Sequence, residues 1–146
     1  MKISTRGRYS LRMMIDLAQH YDEEQYITLK DISKRQNISK KYLEQIVPSL
    51  NKKELLHANK GHLGGYQLSR HPSQITTREI LESAEGNLNP VSCMDHFPND
   101  CEHSKDCMTF PIYHGLYDIM IQYLDGITLD DIINHKIPRA VKIDFL

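Results

Sequence analysis

The stretch Ser39-Lys40-Lys41-Tyr42-Leu43-Glu44-Gln45-Ile46 decides the fold of this chain. Apolar residues recur at helical spacing from Leu43 to Leu50, which predicts one buried face of an α-helix. Ser39 is a residue type that caps helix N-termini, so we expect the helix to begin directly after it. Pro48 lacks the N–H group that a helix interior needs, and it predicts a kink or an end of regular hydrogen bonding there.

Two helical patterns precede this stretch and a hairpin pattern follows it. The helical patterns cover about residues 10–21 and about residues 29–36. Beyond residue 53, two short semi-apolar segments flank Lys60-Gly61-His62-Leu63-Gly64-Gly65, which predicts a β-hairpin with a flexible basic tip. Three helices followed by a hairpin are the layout of a winged helix-turn-helix domain. The predicted fold class is therefore mainly α with a small β-hairpin wing.

The second half of the chain contains further helical patterns around one irregular segment. Thr76-Thr77-Arg78-Glu79 has the form of a capping box and opens a helix that stops at Gly86. Residues 87–110, called here the cysteine segment, lack helical or strand periodicity over most of their length. Pro111 then opens a longer helix. We expect a winged helix-turn-helix domain over 1–86, a sensor loop over 87–110, a dimerisation helix and a short C-terminal helix over 111–136, and a tail over 137–146.

Charge is distributed unevenly along the 146 residues, although the formal net charge is only −1. Residues 1–70 contain 13 Lys and Arg against 7 Asp and Glu, whereas residues 71–146 contain 5 against 12. Such asymmetry indicates that the basic half meets a polyanion. No apolar stretch approaches the roughly 20 residues that span a bilayer, and the N-terminus resembles no secretory signal. We therefore expect a cytoplasmic protein that does not use a membrane.

The basic half places its charges where a winged domain contacts double-stranded DNA. The first residues of a recognition helix reach base edges in the major groove, through neutral hydrogen bonds, cationic groups or a carboxylate that accepts from cytosine. Arginines near the first helix and charges at the hairpin tip suit phosphate contacts. The predicted contact residues are Arg6, Arg8, Arg12, Ser39, Lys40, Lys41, Tyr42, Glu44, Lys60 and His62.

The three cysteines, Cys93, Cys101 and Cys107, all fall in the cysteine segment. An odd number does not suit the disulfide framework of a secreted chain, so we expect reduced thiols. Their spacing differs from the closely spaced cysteine pairs of structural zinc sites. Clustered thiolates are soft ligands that favour iron–sulfur clusters and zinc, so the segment predicts metal or redox chemistry.

Four motifs distributed over the chain occur together in one known family. They are Lys2-Ile3-Ser4-Thr5-Arg6-Gly7-Arg8-Tyr9, Asp31-Ile32-Ser33, Ser39-Lys40-Lys41-Tyr42-Leu43-Glu44-Gln45 and Gly64-Gly65-Tyr66-Gln67-Leu68. From Met1 to about His135 the chain resembles the bacterial iron–sulfur cluster regulators, a family of winged-helix repressors. The resemblance implies a homodimer that binds a palindromic operator and carries a [2Fe-2S] cluster. By position it also implies DNA contacts at Ser39, Lys41, Glu44 and Lys60.

The resemblance implies that the three cysteines ligate the cluster, but the fourth ligand departs from the family pattern. In the family's assembly repressor a histidine follows the third cysteine by three residues, and here that position holds Phe110. His114 lies one helical turn further along and is our candidate for the fourth ligand. His96 and His103, within the segment itself, are the alternatives.

The helix after Pro111 has an apolar face that needs a partner, through residues such as Ile112, Leu116 and Ile119. The resemblance implies that this face joins two chains, and the alternative is a core helix within one chain. A regulator of the same fold without a cluster also stays open; it would sense through thiol redox, another metal or a metabolic protein partner. A protein adaptor without DNA affinity is a further alternative. An enzyme is not expected, because the sequence contains neither a CxxC pair nor a phosphate-binding glycine loop.

Overall fold

The computed structural model describes residues 2–138 and confirms the predicted fold class. Three α-helices, a two-stranded antiparallel hairpin and three further α-helices follow one another in that range, with short 3-10 helices at Pro72–Gln74 and Ser92–Met94. This is the order expected for a winged helix-turn-helix domain with a C-terminal extension. The elements are α1 (Thr5–Gln19), α2 (Leu29–Gln36), α3 (Lys40–Lys52), β1 (Leu56–Asn59), β2 (Gly65–Leu68), α4 (Thr77–Glu85), α5 (Phe110–Asp125) and α6 (Leu129–Ile133).

Side-chain caps fix where the first three helices begin. The hydroxyl oxygens of Ser4, Thr28 and Ser39 accept hydrogen bonds from backbone N–H groups in the first turns of α1, α2 and α3. The cap at Ser4 makes α1 begin about five residues earlier than the apolar pattern predicts. The helix does not end at Pro48, which was one of the two outcomes expected there, and α3 continues through it to Lys52. Pro48 lies on the exposed side of the helix, where water can reach the carbonyl group that the proline leaves without its N–H donor.

The hydrophobic core lies between α1 and the helix-turn-helix pair. Met13, Met14 and Leu17 of α1 are fully buried, and they belong to one cluster with the apolar faces of the other elements. Burial of each such side chain contributes about 1.5–3 kcal/mol to folding. The buried positions of α2 and α3 that join this cluster are Leu29, Ile32, Leu43, Ile46, Val47 and Leu50.

The hairpin forms the wing and is fastened to the rest of the domain by a third chain segment. Leu56 pairs with Leu68 and Asn59 with Gly65. Ile27 adds two backbone hydrogen bonds to Tyr66, each 2.8 Å between nitrogen and oxygen. This close approach leaves no room for a side chain at the neighbouring Gly65, whose φ of +153° is also unfavourable for other residues.

The C-terminal helices pack on the domain through α4, which contacts both α1 and α5. α5 begins at Phe110, one residue before Pro111, and none of its residues is buried. Thr77 joins α4 to the segment after α5, because its N–H and hydroxyl both donate to the carbonyl of Ile127, at 2.8 and 3.0 Å. Within residues 2–138, no helix has the length and apolar character needed to cross a bilayer. Most of the predicted tail, from residue 139 onward, lies outside the described residues.

Candidate nucleic-acid interface and cysteine segment

The first turn of α3 presents polar and charged side chains to solvent. The Ser39 oxygen accepts from the backbone N–H of Tyr42 at 3.2 Å, which leaves its own hydroxyl proton free to donate. Lys40 and Glu44 lie one turn apart, with 3.7 Å between Nζ and Oε1, and both side chains are more than half exposed. Lys41 is also exposed. An ion pair so accessible to water is weak, so both groups can exchange it for contacts to a ligand.

Tyr42, also predicted to contact DNA, lies against the core instead of pointing freely into solvent. Its ring is half-buried and packs edge-on against Tyr9 of α1, with 5.3 Å between ring centroids. The guanidinium of Arg12 lies 5.4 Å from the centroid of the same Tyr9 ring. This arrangement holds the start of α3 against α1, with Tyr42 as the contact residue of α3.

A groove runs between α2, α3 and the wing, and it gathers charges that are distant in the sequence. Lys40 and Glu44 line it from α3, and Lys60 lines it from the wing tip. Lys30, at the start of α2, lines the same groove. Lys30 carries no distinctive sequence signal, because a lone lysine in the first turn of a helix is common. A groove with three lysines suits a phosphate backbone.

The remaining predicted contacts lie on residues 2–8, called here the arm, which lead into the first turn of α1, and at the wing tip. Arg6 donates from Nη2 to the Gln45 carbonyl of α3 at 3.0 Å, and Arg8 donates to the Thr5 hydroxyl at 3.2 Å. The side chains of these residues are all exposed: Thr5, Arg6, Arg8 and Gln45. His62 is exposed at the wing tip beside Leu63, whose side chain is 82% exposed. The structure thus places the predicted basic residues on the arm, the first turn of α3 and the wing tip, with Arg12 further along α1.

A buried carboxylate fixes α1 to α2 beneath this surface. Asp16 has no exposed surface, and it accepts from Arg35 at 2.7 Å and from Gln36 at 3.0 Å. Burial by itself raises the pKa of Asp16, but the hydrogen bonds from Arg35 and then Gln36 outweigh it and hold that pKa below its ordinary value. Arg12 in turn donates to Gln36, through Nε to the side-chain oxygen at 3.3 Å and through Nη2 to the backbone carbonyl.

The cysteine segment holds all three thiols in free, half-buried form. The structure does not bring them into one group: within residues 2–138 no three Cys, His, Asp or Glu side chains are arranged to hold a metal ion. Cys107 lies just before α5. A hydrogen bond from the Thr109 hydroxyl, followed by those from the backbone N–H groups of Thr109 and Phe110, lowers the pKa of the Cys107 thiol.

His114, the candidate fourth ligand, is positioned by two neighbours on α5. Its Nδ1 lies 3.1 Å from a carboxylate oxygen of Asp118, one turn further along. Its ring is tilted against Phe110, with 5.8 Å between centroids. A carboxylate on one ring nitrogen fixes the tautomer and leaves the other nitrogen available as a ligand. The ring is more than half exposed, so it is also accessible to solvent.

Comparison with known proteins gives consistent matches over nearly the whole chain. A family model described as Rrf2, iron-dependent transcriptional regulator, matches residues 3–135. The chain is 32% identical over 136 residues to the HTH-type transcriptional regulator IscR of Pectobacterium atrosepticum, covering 93% of this chain and 81% of that protein. It is 36% identical over 132 residues to protein rrf2 of Nitratidesulfovibrio vulgaris, covering 90% and 87% respectively.

Solved structures give the same result at the level of the fold. CymR, the global cysteine regulator of B. subtilis, matches with a TM-score of 0.69 and 35% identity, covering 92% of this chain and 98% of that chain. IscR of T. potens matches with a TM-score of 0.70 and 32% identity, covering 100% and 94%. Together with the observed order of elements, these matches confirm the winged-helix fold.

Proposed function

The chain belongs to the Rrf2 family of transcriptional regulators, and on this premise we propose that it is a homodimeric DNA-binding regulator controlled by its cysteine segment. Membership of this family makes the chain a DNA-binding regulator of transcription and not an enzyme. The observation that carries the proposal is the groove in which α2, α3 and the wing bring Lys30, Lys40 and Lys60 together. We also propose the assignment of regions predicted from sequence. Residues 1–86 bind DNA, residues 87–110 sense the regulatory signal, and residues 111–136 form the dimer.

In the proposed complex, the first turn of α3 enters the major groove and the wing lies along the neighbouring backbone. The Ser39 hydroxyl, Lys41 and the Glu44 carboxylate are the groups placed to contact base edges, because they lie on the exposed side of that turn. Lys40 and Lys60, on the two sides of the groove, contact phosphates, with Arg6, Arg8 and His62 at its flanks. Tyr42, which is half-exposed and packs α3 on Tyr9, stays among the proposed DNA contacts.

Removing one groove lysine should weaken DNA binding and make the affinity less dependent on salt concentration, because one phosphate contact is lost. For Lys40→Ala and for Lys60→Ala, we expect the slope of the logarithm of the association constant against the logarithm of salt concentration to fall by about one per protomer. Fluorescence anisotropy with a duplex that the wild-type protein selects from a random library measures this slope. Lys136→Ala, at an exposed position after α6, is the control and should leave it unchanged. Equal slopes for all variants would contradict a phosphate-binding role for the groove.

The proposed dimer uses the uncovered apolar face of α5. Ile112, Leu116, Ile119 and Tyr123 recur at intervals of four, three and four residues, so they form one line along the helix, called here the α5 stripe. Ile112 and Ile119 are each 67% exposed in the single chain. Their spacing is that of helices that pack side by side, so a second copy of α5 can cover the stripe.

For the sensing function, we propose that Cys93, Cys101 and Cys107 hold an iron–sulfur cluster, with His114 as the fourth ligand. The chemistry of the donors fits, since three free thiols in one segment supply the soft ligands that such clusters prefer. Similarity to two IscR proteins supports the same assignment. Asp118 holds Nδ1 of His114 and so leaves Nε2 for ligation. The thiols are not gathered within the described residues, so the segment must rearrange to surround the cluster. A bound cluster would supply a centre that responds to iron or oxidants.

Anaerobic reconstitution with iron and sulfide tests the cluster directly. We expect visible absorption together with bound iron and acid-labile sulfide in the wild type, and loss of most of both when any one cysteine is changed to serine. His114→Ala should alter the spectrum, whereas His96→Ala and His103→Ala should match the wild type. A wild-type protein that stays colourless and iron-free would disprove the cluster, and a normal spectrum for His114→Ala would disprove the fourth ligand.

A second candidate function keeps the DNA-binding regulator but dispenses with the cluster. Three observations favour it: Phe110 occupies the family's histidine position, the thiols are not gathered, and the pKa of Cys107 is lowered. Similarity to a solved global cysteine regulator also supports it. In this version the thiols themselves are the sensor. A colourless protein whose DNA affinity changes after oxidation, and regains its original value after treatment with a reductant, would favour this candidate over the cluster.

A further inference from the structure

A carboxylate at the end of α4 holds the start of α1, next to the base of the cysteine segment. Oε1 of Glu85 accepts hydrogen bonds from both the backbone N–H and the hydroxyl of Ser4, at 2.9 and 2.7 Å. Glu85 is the last residue of α4, and the cysteine segment begins two residues later. Ser4 and Glu85 are 81 positions apart in the sequence, so this contact joins two segments that are not neighbours along the chain.

The contact is closely packed on the α1 side. The Ser4 oxygen that donates to Glu85 also accepts from the N–H of Gly7 at 3.0 Å and caps α1. A side chain at Gly7 would collide with the Glu85 carboxylate, so this position needs glycine for the approach. Beside the contact lies a cavity lined by Lys2 and Ile3 from the arm, by Asn87 and Leu88 from the cysteine segment, and by Met120 from α5.

The same short segment also contacts the recognition helix. Arg6, two residues after Ser4, donates to the Gln45 carbonyl of α3 at 3.0 Å. The stretch from Ser4 to Arg6 therefore connects the base of the cysteine segment, through Glu85, to α3, through Gln45. This stretch lies within the arm (residues 2–8), which also includes the basic residues Lys2 and Arg8.

We propose that the Ser4–Arg6 stretch transmits changes in the cysteine segment to the DNA-binding surface, and that Glu85 is the positioning residue of this connection. The inference rests on the proposed function as a DNA-binding regulator. A rearrangement of residues 87–110 displaces Glu85 at their base, and this releases Ser4. The arm then loses its fixed position, and Arg6 and Arg8 no longer lie where they meet phosphates. Coupling of this kind needs a contiguous set of contacts between the two sites, and Glu85, Ser4, Arg6 and Gln45 form one.

Two variants of Glu85 separate this role from a simple effect of charge. Glu85→Ala removes both hydrogen bonds, whereas Glu85→Gln removes the charge but keeps an oxygen that can accept them. Loss of a negative charge near DNA strengthens binding by itself, so weaker binding by Glu85→Ala cannot be a charge effect. We expect Glu85→Ala to bind the selected duplex more weakly, with a salt slope lower by about two per protomer because the contacts of both Arg6 and Arg8 are lost, and Glu85→Gln to retain the wild-type slope.

The coupling itself is tested by alkylating the thiols with iodoacetamide before DNA is added. In the wild type and in Glu85→Gln, alkylation should change the dissociation constant several-fold. In Glu85→Ala the ratio of dissociation constants before and after alkylation should approach one. A wild-type slope for Glu85→Ala, or an alkylation effect as large as that of the wild type, would overturn the inference and leave the proposed function intact. Failure of the wild-type protein to select any duplex would instead refute the proposed function.

Discussion

Replacing Ile119 with aspartate is expected to make the protein monomeric and to lower its affinity for the operator about a thousandfold or more, toward the level of non-specific binding. Ile119 lies in the middle of the α5 stripe and is 67% exposed in the single chain. A carboxylate there stays hydrated in the monomer but would be buried without a partner in the dimer, which costs several kcal/mol. A monomer presents one recognition helix to a palindrome that needs two.

Sedimentation or light scattering at micromolar concentration measures the first effect, and anisotropy with the selected duplex measures the second. Gln122→Asp is the matched control, because it adds the same charge to an exposed position of α5 about a quarter turn around the helix from the stripe. The control should stay dimeric. Because Ile119 is exposed in the protomer, the fold should survive, and an unchanged circular dichroism spectrum verifies this. A dimeric Ile119→Asp protein with wild-type affinity would disprove the proposed role of the stripe.

The parts of the fold that could be predicted from sequence are those that depend on local residue patterns. Leu43 and Leu50 predict the buried face of α3 because helix periodicity acts within a few residues, and the glycine stretch predicts the wing for the same reason. The capping box at Thr76 is found as predicted, with Glu79 in its reciprocal place. Pro48 shows the limit of such rules, because the burial of α3 outweighs the missing hydrogen bond at an exposed position.

Features that depend on tertiary contacts were not predictable from sequence. Lys30 joins the groove only because α2 packs beside α3 and the wing. Tyr42 has the residue type of a DNA contact, but its ring meets Tyr9, which lies 33 positions earlier in the sequence. The contact between Ser4 and Glu85 spans most of the described chain and has no motif.

The second large effect expected is on stability, at the buried Asp16 that joins α1 to α2. Asp16→Ala leaves Arg35 and Gln36 without their shared acceptor and breaks the connection between α1 and α2. We expect a loss of about 2–4 kcal/mol of unfolding free energy, which corresponds to a fall of about 10 °C in Tm. Glu24→Ala, an exposed acid in the turn after α1, is the control and should stay near the wild type.

The pH dependence identifies the ionised carboxylate as the source of this stability. Because the folded-state pKa of Asp16 is lowered, its contribution is complete above the ordinary aspartate value of about 3.9 and is lost as pH falls through the folded-state pKa. Urea denaturation of the wild type and Asp16→Asn at several pH values should therefore give a free-energy difference that is constant near neutrality and narrows in acid. The other acidic residues titrate in both proteins and cancel in the comparison. The narrowing of the free-energy difference therefore reports the protonation of Asp16. A difference that stays constant down to the lowest pH would show that packing, and not the charge on Asp16, holds α2 against α1.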